Sequence, residues 1–429
     1  MTMQKALIQP RTLLCLLVVA NSGCVFLTDN KLAGVPYLRE LFLALVVASA
    51  LWLLAAWPRP WQSRASLWVL FMGLAMPLMS ALGALWHFGQ PLGFGLLEER
   101  RCFLYLLFFP MLYLLTRAQP SQAQLERWML YGALACVVVG FGYYSKLIPE
   151  NASVGFNVDE KDYGFNPLRP DRYSIGISYV SICAMMLMYR LRQRVEVVSL
   201  LLLGVFAAYL WLVLQTRNIM LVWALAALWV FRARLGNLAK LGLVALVVGV
   251  VAYLLVPSVF DEQYYRLMAL IEEASEPGGV RADTTAIILR DSAANWYVGM
   301  GALSLQWEGG FARFYSSYFY LSDVGILGVL YRYGLITPLI MLVYFVGYWR
   351  IARQCRHKGP LLSAFALDMA FNFINLFFSS SIMYGGDIAG VALAAFVYFG
   401  RASATVQASR QPPLPQGARP PAALALRGR

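Results

Sequence analysis

The stretch "LVLQTRNIMLVW", residues 212–223, sets one arginine between two long apolar runs. One run covers 195–214 and the other 219–231, with only Gln215, Thr216, Arg217 and Asn218 between them. Two such runs joined by so short a polar turn read as antiparallel helices crossing a bilayer, whose hydrocarbon takes about 20 apolar residues to span. There a guanidinium costs about 2.5–3.5 kcal/mol at a helix centre and less near the interface. Arg217 at the turn therefore needs a reason.

The rest of the chain has the same character. Of its 429 residues 60% are hydrophobic and 13% charged, with a mean hydropathy of +0.61. Soluble domains carry about 25% charged residues. The fold class expected is an all-α polytopic membrane protein. Apolar runs place twelve spans near 12–27, 41–57, 67–86, 102–116, 129–147, 173–189, 195–214, 218–231, 239–257, 334–349, 361–382 and 387–400. Residues 1–400 then form one transmembrane domain, and the Pro-, Ala- and Arg-rich tail 401–429 is expected to be a disordered cytoplasmic segment. "NSGC" (21–24) resembles a lipoprotein box, but Asn21 stands where an aliphatic residue is wanted, so an uncleaved first helix is expected. Five of the six cysteines fall in apolar runs and Cys355 in a basic loop, so no disulfide framework is implied.

Charge assigns the sides. With the N-terminus inside, the inner segments hold Lys5 and Arg11; Arg59 and Arg64; Arg117 and Arg127; Arg190, Arg192 and Arg194; Arg232, Arg234 and Lys240; Arg350, Arg353, Arg356 and Lys358; and the arginines from 401 onward. Only two acids, Glu126 and Glu196, accompany them, as the positive-inside rule requires. Both termini are thus expected in the cytoplasm. The net charge of +13 is largely this topology signal, and nucleic acid is not an expected partner.

Outer charges are mixed in sign and concentrated in 87–101, 148–172, the Arg217 turn and the long segment 258–333. A connection of that length is usually functional or disordered. This one holds a helical pattern over 264–274, the turn "EPGGV" and an aromatic run, "FARFYSSYFYLSDVGILGVLYRYGLI" (311–336), which predicts a short embedded or surface-lying helix. Arg100, Arg101, Arg172, Arg217 and Arg290 stand at outer helix mouths. Singly, each reads as an anchor snorkelling to headgroups or as a partner of Glu98, Glu99 or Asp171. Together they point to an anionic ligand, because the guanidinium fork suits phosphate. Gly299-Met-Gly301 could let backbone amides approach a phosphate, though a plain turn is the better reading. The aromatic run reads equally as an interfacial belt or as a sugar-stacking surface. Asp323 within it is a carboxylate expected to face a cavity or a partner.

In the eleventh span Asp368, Asn372, Asn375 and Ser379 share one helix face, favouring interhelical hydrogen bonds over chemistry. The only histidines are His87, outer, and His357, inner, and no nucleotide-binding or metal–nucleotide-sugar motif occurs. The triplet Glu160-Lys-Asp162 is a poor mimic of a metal-binding acid pair. No metal or cofactor is expected.

The order of these pieces resembles the O-antigen polymerase and ligase superfamily of bacterial polysaccharide assembly. The matching residues are an arginine in a short outer turn ("LQTRNIML"), a second before a Gly-x-Gly turn in a large outer segment ("LRDSAANWYVGMG"), and a helix with an acid-x-Gly pattern ("SDVGILGVLYRYG"). The likeness spans about 195–350 and rests elsewhere on span count. Ligases of the family carry a histidine shortly before the glycine matching Gly325, where this chain has Phe314, so the resemblance leans to the polymerases, most like those of exopolysaccharides.

The resemblance implies a fold like the lipid-dependent membrane glycosyltransferases and a bacterial inner-membrane enzyme working on the periplasmic side. Donor and acceptor would be oligosaccharides on undecaprenyl diphosphate, with a flippase and a chain-length regulator as further partners. An acceptor hydroxyl attacks the anomeric carbon and lipid diphosphate leaves. Arg217 and Arg290 would hold that diphosphate. Arg172, Arg100 and Arg101 would hold a second phosphate or steer headgroups, Asp323 or else Glu308 would take the proton, and Arg313, Tyr315 and Tyr318 would contact sugar. Arg332, nearer the following helix, is expected to matter less. The alternatives are a ligase and a non-enzymatic flippase of lipid-linked oligosaccharide.

Overall fold

The computed structural model describes residues 9–24, 38–56, 63–148, 172–275, 280–304, 306–307, 313–315, 319, 321–377, 379 and 381–410. Among these the chain is helical, with one isolated β-bridge between Val298 and Gly334. In chain order the helices are α1 Pro10–Asn21, α2 Leu38–Ala56, α3 Arg64–Phe88, α4 Leu92–Glu98, α5 Arg100–Ala118, α6 Gln122–Tyr144, α7 Ile177–Gln193, α8 Val197–Leu214, α9 Arg217–Phe231 and α10 Leu235–Leu255. Then follow α11 Pro257–Ser275, α12 Val280–Ala294, α13 Ile326–Tyr333, α14 Thr337–Gln354, α15 Pro360–Asn375, the single turn α16 Ser381–Tyr384, and α17 Gly386–Arg410.

Five of these, α2, α3, α5, α6 and α8, are long and apolar enough to cross a membrane, and α1 and α9 are shorter apolar helices. Leu41, Leu45, Trp52, Leu67, Trp86, Leu201 and Leu228 are exposed on them, an outer surface suited to hydrocarbon rather than water. The chain is thus a helical membrane protein. Helices cover at least part of each run read as a span; the eleventh, 361–382, is helical over Pro360–Asn375 and again only in the single turn Ser381–Tyr384. The last, α17, continues to Arg410, past the boundary expected at 400.

The inside of the bundle is made by α5, α7, α15 and α17. α17 packs on α5 and α14, α15 on α7, and α7 also on α6, α8 and α9. Contact between α17 and α5 is close because Gly386 and Gly390 face the α5 backbone: a Cβ on Gly386 would lie 2.8 Å from the Tyr105 amide nitrogen. Two helices carry an internal π turn. In α3 it runs Phe71–Ala75, just before Pro77, which has no amide hydrogen to donate. In α8 it is the last turn, Leu210–Leu214, closed by Gln215 in the left-handed region at φ 47°.

At the helix ends expected to be inner, Arg190 Nη2 pairs with Glu126 Oε2 at 2.6 Å, and Glu126 Oε1 accepts the Leu361 amide. Gln122 Nε2 donates to the His357 carbonyl, and Gln122 Oε1 accepts the Gly359 amide. Glu126, one of the two acids expected on the inner side, thereby ties α6 and α7 to the start of α15. In α15 the expected polar stripe begins with an intrahelical bond, Asn372 Nδ2 to Asp368 Oδ2 at 3.1 Å.

The segment 258–333, read as a loop, folds against the bundle. Ile288, Met300, Ala302, Leu303, Tyr315, Phe319, Leu321, Val324 and Tyr331 form a second apolar core, separate from that of the bundle. It packs α12 on a 3-10 turn, Leu321–Val324, and on α13, which in turn contacts α3. The helical pattern expected over 264–274 lies within α11, and the short helix expected in 311–336 is α13. The EPGG residues 276–279 and the Glu160–Asp162 triplet lie outside the described residues. All six cysteines are free.

Candidate functional site

Two groups of cations stand at the helix ends expected on the outer side. The first surrounds the Arg217 turn. Arg217 opens α9 after Thr216, whose hydroxyl donates to the Leu214 carbonyl at 2.8 Å. The approach to α7 is bonded to this turn, since the Tyr173 amide donates to the Val213 carbonyl at 3.1 Å. That bond sets Arg172, Tyr173's chain neighbour, beside the turn. Tyr173 is fully buried and stacks on Tyr143, with ring centroids 5.7 Å apart. Its hydroxyl accepts from Lys146 Nζ at 3.0 Å. Arg172, Lys146 and the Arg217 turn therefore share one mouth, between α6, α7 and the α8–α9 turn. Arg217 and Arg172 are half-buried, so their fixed positive charge meets both solvent and protein.

The second group gathers Arg39, Arg100 and Arg101 at the outer ends of α2 and α5. The Arg39 guanidinium lies within electrostatic reach of Arg101 and Arg100, with Glu40 and Asp387 as the opposing charges. Arg101 sits over the ring of Tyr384, 4.9 Å from its centroid, in a cation–π contact. Arg100 Nη1 donates to the Leu97 carbonyl at 2.9 Å, while its Nε is buried with no hydrogen-bond partner among the described residues. Asp387, at the start of α17, accepts the Ile388 amide at 2.8 Å. The Asp387 carbonyl accepts from Asn21 Nδ2, which also donates to Tyr179.

Between this group and the outer core runs a buried polar chain. Glu99 and Arg332 form an ion pair at 2.8 Å with both side chains 3% exposed. Glu99 Oε1 also accepts from Ser80 Oγ at 2.7 Å, and Ser80 Oγ accepts the Ala302 amide at 3.1 Å. Gln90 reaches the same strip, donating to the Ala302 carbonyl and accepting the Ser304 amide. Burial disfavours the Arg332 cation, and Glu99 more than restores it, leaving the guanidinium harder to deprotonate than in water. Glu98 next door is also raised, but for a carboxyl this favours the neutral form, through burial and then the charge of Glu99.

The Gly-x-Gly pair serves this packing and not phosphate binding. The Met300 and Gly301 amides donate to the Tyr331 and Arg332 carbonyls. Gly301 has φ +76°, and a Cβ there would collide with the Ser80 carbonyl and the Ala84 amide of α3. The turn itself lies at 295–297, and residues 299–301 run beyond it alongside 331–334 rather than forming the plain turn expected.

The other expected residues scatter. Arg290 lies on an exposed face of α12, its Nε 2.8 Å from Asp291 Oδ1, a contact that raises its pKa. Helix α12 packs on α13 and the 3-10 turn, whereas α9 packs on α7, α10 and α15, so Arg290 and Arg217 belong to different neighbourhoods. Tyr315, expected on a sugar surface, is a core residue instead. Its ring stacks on Phe319 at 4.2 Å, and its hydroxyl bonds Tyr331 and Asp291 Oδ2. Arg313 is exposed, over the Phe314 ring. Asp323 does not face a cavity within an apolar helix: it is exposed on the 3-10 turn and accepts from Ser322 Oγ. Glu308 and Tyr318 lie outside the described residues.

Sequence reasoning passed over Arg39, Lys146 and Asp387. Arg39 carried the same signal as the five arginines singled out, a guanidinium at the outer mouth of an apolar run. Arg332, expected to matter less, is the most deeply set of these arginines, because its neighbours along the chain gave no sign that Glu99 faces it. Among the described residues no group of three or more His, Cys, Asp or Glu side chains converges as a metal site would need. No protein-family model matches the chain, and no curated protein or solved structure is significantly similar to it.

Proposed function

We propose that this chain is a polysaccharide polymerase joining oligosaccharide repeat units carried on undecaprenyl diphosphate at the periplasmic face of the bacterial inner membrane. Twelve spans with both termini in the cytoplasm put Arg217, Arg172 and Lys146 on that face. The observation that carries the reading is the Tyr173–Val213 bond, which brings separate cations to one outer mouth. A site for a lipid diphosphate needs fixed positive charge at the depth of the headgroups, with an apolar flank for the lipid.

In the reaction an acceptor hydroxyl attacks the anomeric carbon of the donor unit. The carbon–oxygen bond to the diphosphate breaks, and its electron pair leaves with the diphosphate. Arg217 meets the growing negative charge with a cation already in place, which costs no reorganisation during the reaction. Arg172 and Lys146 flank it. The hydroxyl proton passes to a carboxylate; the resemblance offers Asp323 and Glu308, and Asp323, whose 3-10 turn packs with α12 and α13 and not with α9, would have to reach the Arg217 mouth from that neighbouring unit. The diphosphate linkage itself supplies the driving force.

Cells lacking the chain are expected to accumulate single repeat units on lipid diphosphate at the periplasmic face. Units trapped on the cytoplasmic face would replace this reading with a flippase. Arg217→Ala, inserted at normal level, should lower polymerisation by about 10²–10³-fold. Arg217→Lys should retain part of it, since the charge survives and the fork does not. Normal chain length in purified, reconstituted Arg217→Ala would refute the role.

A further inference from the structure

After α12 the chain turns at Asn295, Trp296 and Tyr297. Trp296 and Tyr297 have φ of 56° and 55°, two successive aromatic residues in the left-handed region, where glycine or asparagine is the usual occupant. The backbone there is held by hydrogen bonds: the Trp296, Tyr297 and Val298 amides donate to the carbonyls of Ala293, Ser292 and Asn295. The side chains, in contrast, belong to neither apolar core. Trp296 is 86% exposed, Tyr297 42% and Val298 58%. Strained backbone that presents two rings outward persists only where its surroundings hold it, and it calls for a use of the rings.

Two helices of the bundle set the height of this turn. The Tyr297 carbonyl accepts the Leu335 amide at 3.0 Å and Val298 bridges Gly334, so the turn sits on the entry to α14. On its other side the chain passes α3 at Gly83, where an added Cβ would lie 2.9 Å from the Gly299 carbonyl oxygen. Gly83 is about 7.5 Å from the Phe88 end of α3, at 1.5 Å per residue. The turn is therefore level with the ends of two helices read as spans. Exposed apolar residues continue from it along both: Leu335 just before α14 and Leu339 on it, Leu82 and Trp86 on α3.

We propose that the 295–298 turn is an interfacial wedge, whose Trp296 and Tyr297 rings enter the bilayer leaflet at the ends of α3 and α14, where headgroups meet acyl chains. Indole and phenol suit that layer, since each has an apolar body and one polar tip. The leaflet that covers the exposed leucines of α3 and α14 covers the turn as part of the same surface, and burial of the rings offsets the backbone strain. The segment 258–333 then has two attachments. The buried Arg332–Glu99 pair ties it to the bundle, and the turn ties it to the membrane. The wedge needs α3 and α14 to cross the bilayer; it does not depend on the polymerase reading.

The test uses the full-length protein, labelled with fluorotryptophan, in phosphatidylcholine nanodiscs. The Trp296 fluorine resonance is assigned by its loss in Trp296→Phe. Two quenchers are then added separately: a lipid with a nitroxide high on its acyl chain, and a water-soluble gadolinium chelate. The lipid nitroxide should broaden the Trp296 resonance more strongly than the chelate does. Stronger broadening by the chelate places the ring in water and overturns the proposal. A resonance that stays sharp under both is covered by protein, such as a second copy of the chain, and overturns it as well. Trp296→Asn then separates ring from backbone, because asparagine tolerates the φ of 56°. With the ring in lipid, amide exchange at 296–298 and 335 in nanodiscs should accelerate about tenfold in this variant, while peptides of α6 and α7 stay unchanged and show that the protein is folded. An idle ring predicts unchanged or slower exchange, since only the strain is relieved, and that result overturns the wedge.

Discussion

Replacing Arg332 by alanine tests how the outer segment is held to the bundle. Arg332 and Glu99 are each 3% exposed and 2.8 Å apart, so removing the guanidinium strands a buried carboxylate. Breaking such a pair from one side costs about 3–5 kcal/mol. Ser80 Oγ still donates to Glu99, and a hydrogen bond to a charged group is worth about 1.5–3 kcal/mol, which places the net loss near the lower end of that range. About 3 kcal/mol is about a 10²-fold shift in a local opening equilibrium, since each 1.4 kcal/mol is tenfold. The opening is readable at the amides of Met300, Gly301 and Ala302, which donate to the Tyr331 carbonyl, the Arg332 carbonyl and Ser80 Oγ. Hydrogen exchange of the peptide covering 298–304 in purified protein should accelerate by about 10² in Arg332→Ala, while peptides of α6 and α7 stay unchanged. Glu99→Gln with Arg332→Met removes both charges and should recover most of the protection, because the loss comes from the stranded charge and not from the pair's absolute worth. Acceleration below tenfold in Arg332→Ala would show that the pair does not anchor the segment.

Gly301→Ala should fail by a different route. The positive φ and the collision with α3 backbone call for a loss of several kcal/mol, read as a large fall in folded protein after membrane extraction, with Gly93→Ala, where a Cβ meets nothing, as the control. Glu98 predicts a pH dependence. Its carboxyl titrates above the ordinary 4.5 in the folded chain, so the folded state binds more protons and stability falls as pH rises from about there through the raised value. Glu98→Gln should flatten that slope in thermal unfolding from pH 4 to 8; an unchanged slope would mean that Glu98 is solvated. Reporter fusions after residues 60, 120, 193, 236 and 355 should read cytoplasmic and those after 158 and 280 periplasmic. A cytoplasmic signal at 280 would end the sidedness on which the proposed site depends.

The sequence by itself determined the class and the elements. Apolar runs of bilayer length have one stable conformation in lipid, because every backbone polar group must be satisfied within its own segment. Helix positions could therefore be read without knowing their neighbours, and α8 and α9 meet at the polar turn 215–216 that separates their runs. The arginines at outer mouths were legible for the same reason, since a charge interrupting an apolar run stands out in one dimension. Only the tertiary structure decided which of them act together. The resemblance sets Arg217 and Arg290 on one diphosphate, but their helices pack on different elements, and Arg217 instead shares its mouth with Arg172 and Lys146. Arg332 finds Glu99 across 233 residues. The aromatic run could have been a belt, a sugar surface or a core, and Tyr315 became core because Phe319, Tyr331 and Asp291 close around it. Helix formation in a membrane is local, while the pairing of charges and rings depends on which helices touch, and the spacing of residues along the chain does not encode that choice.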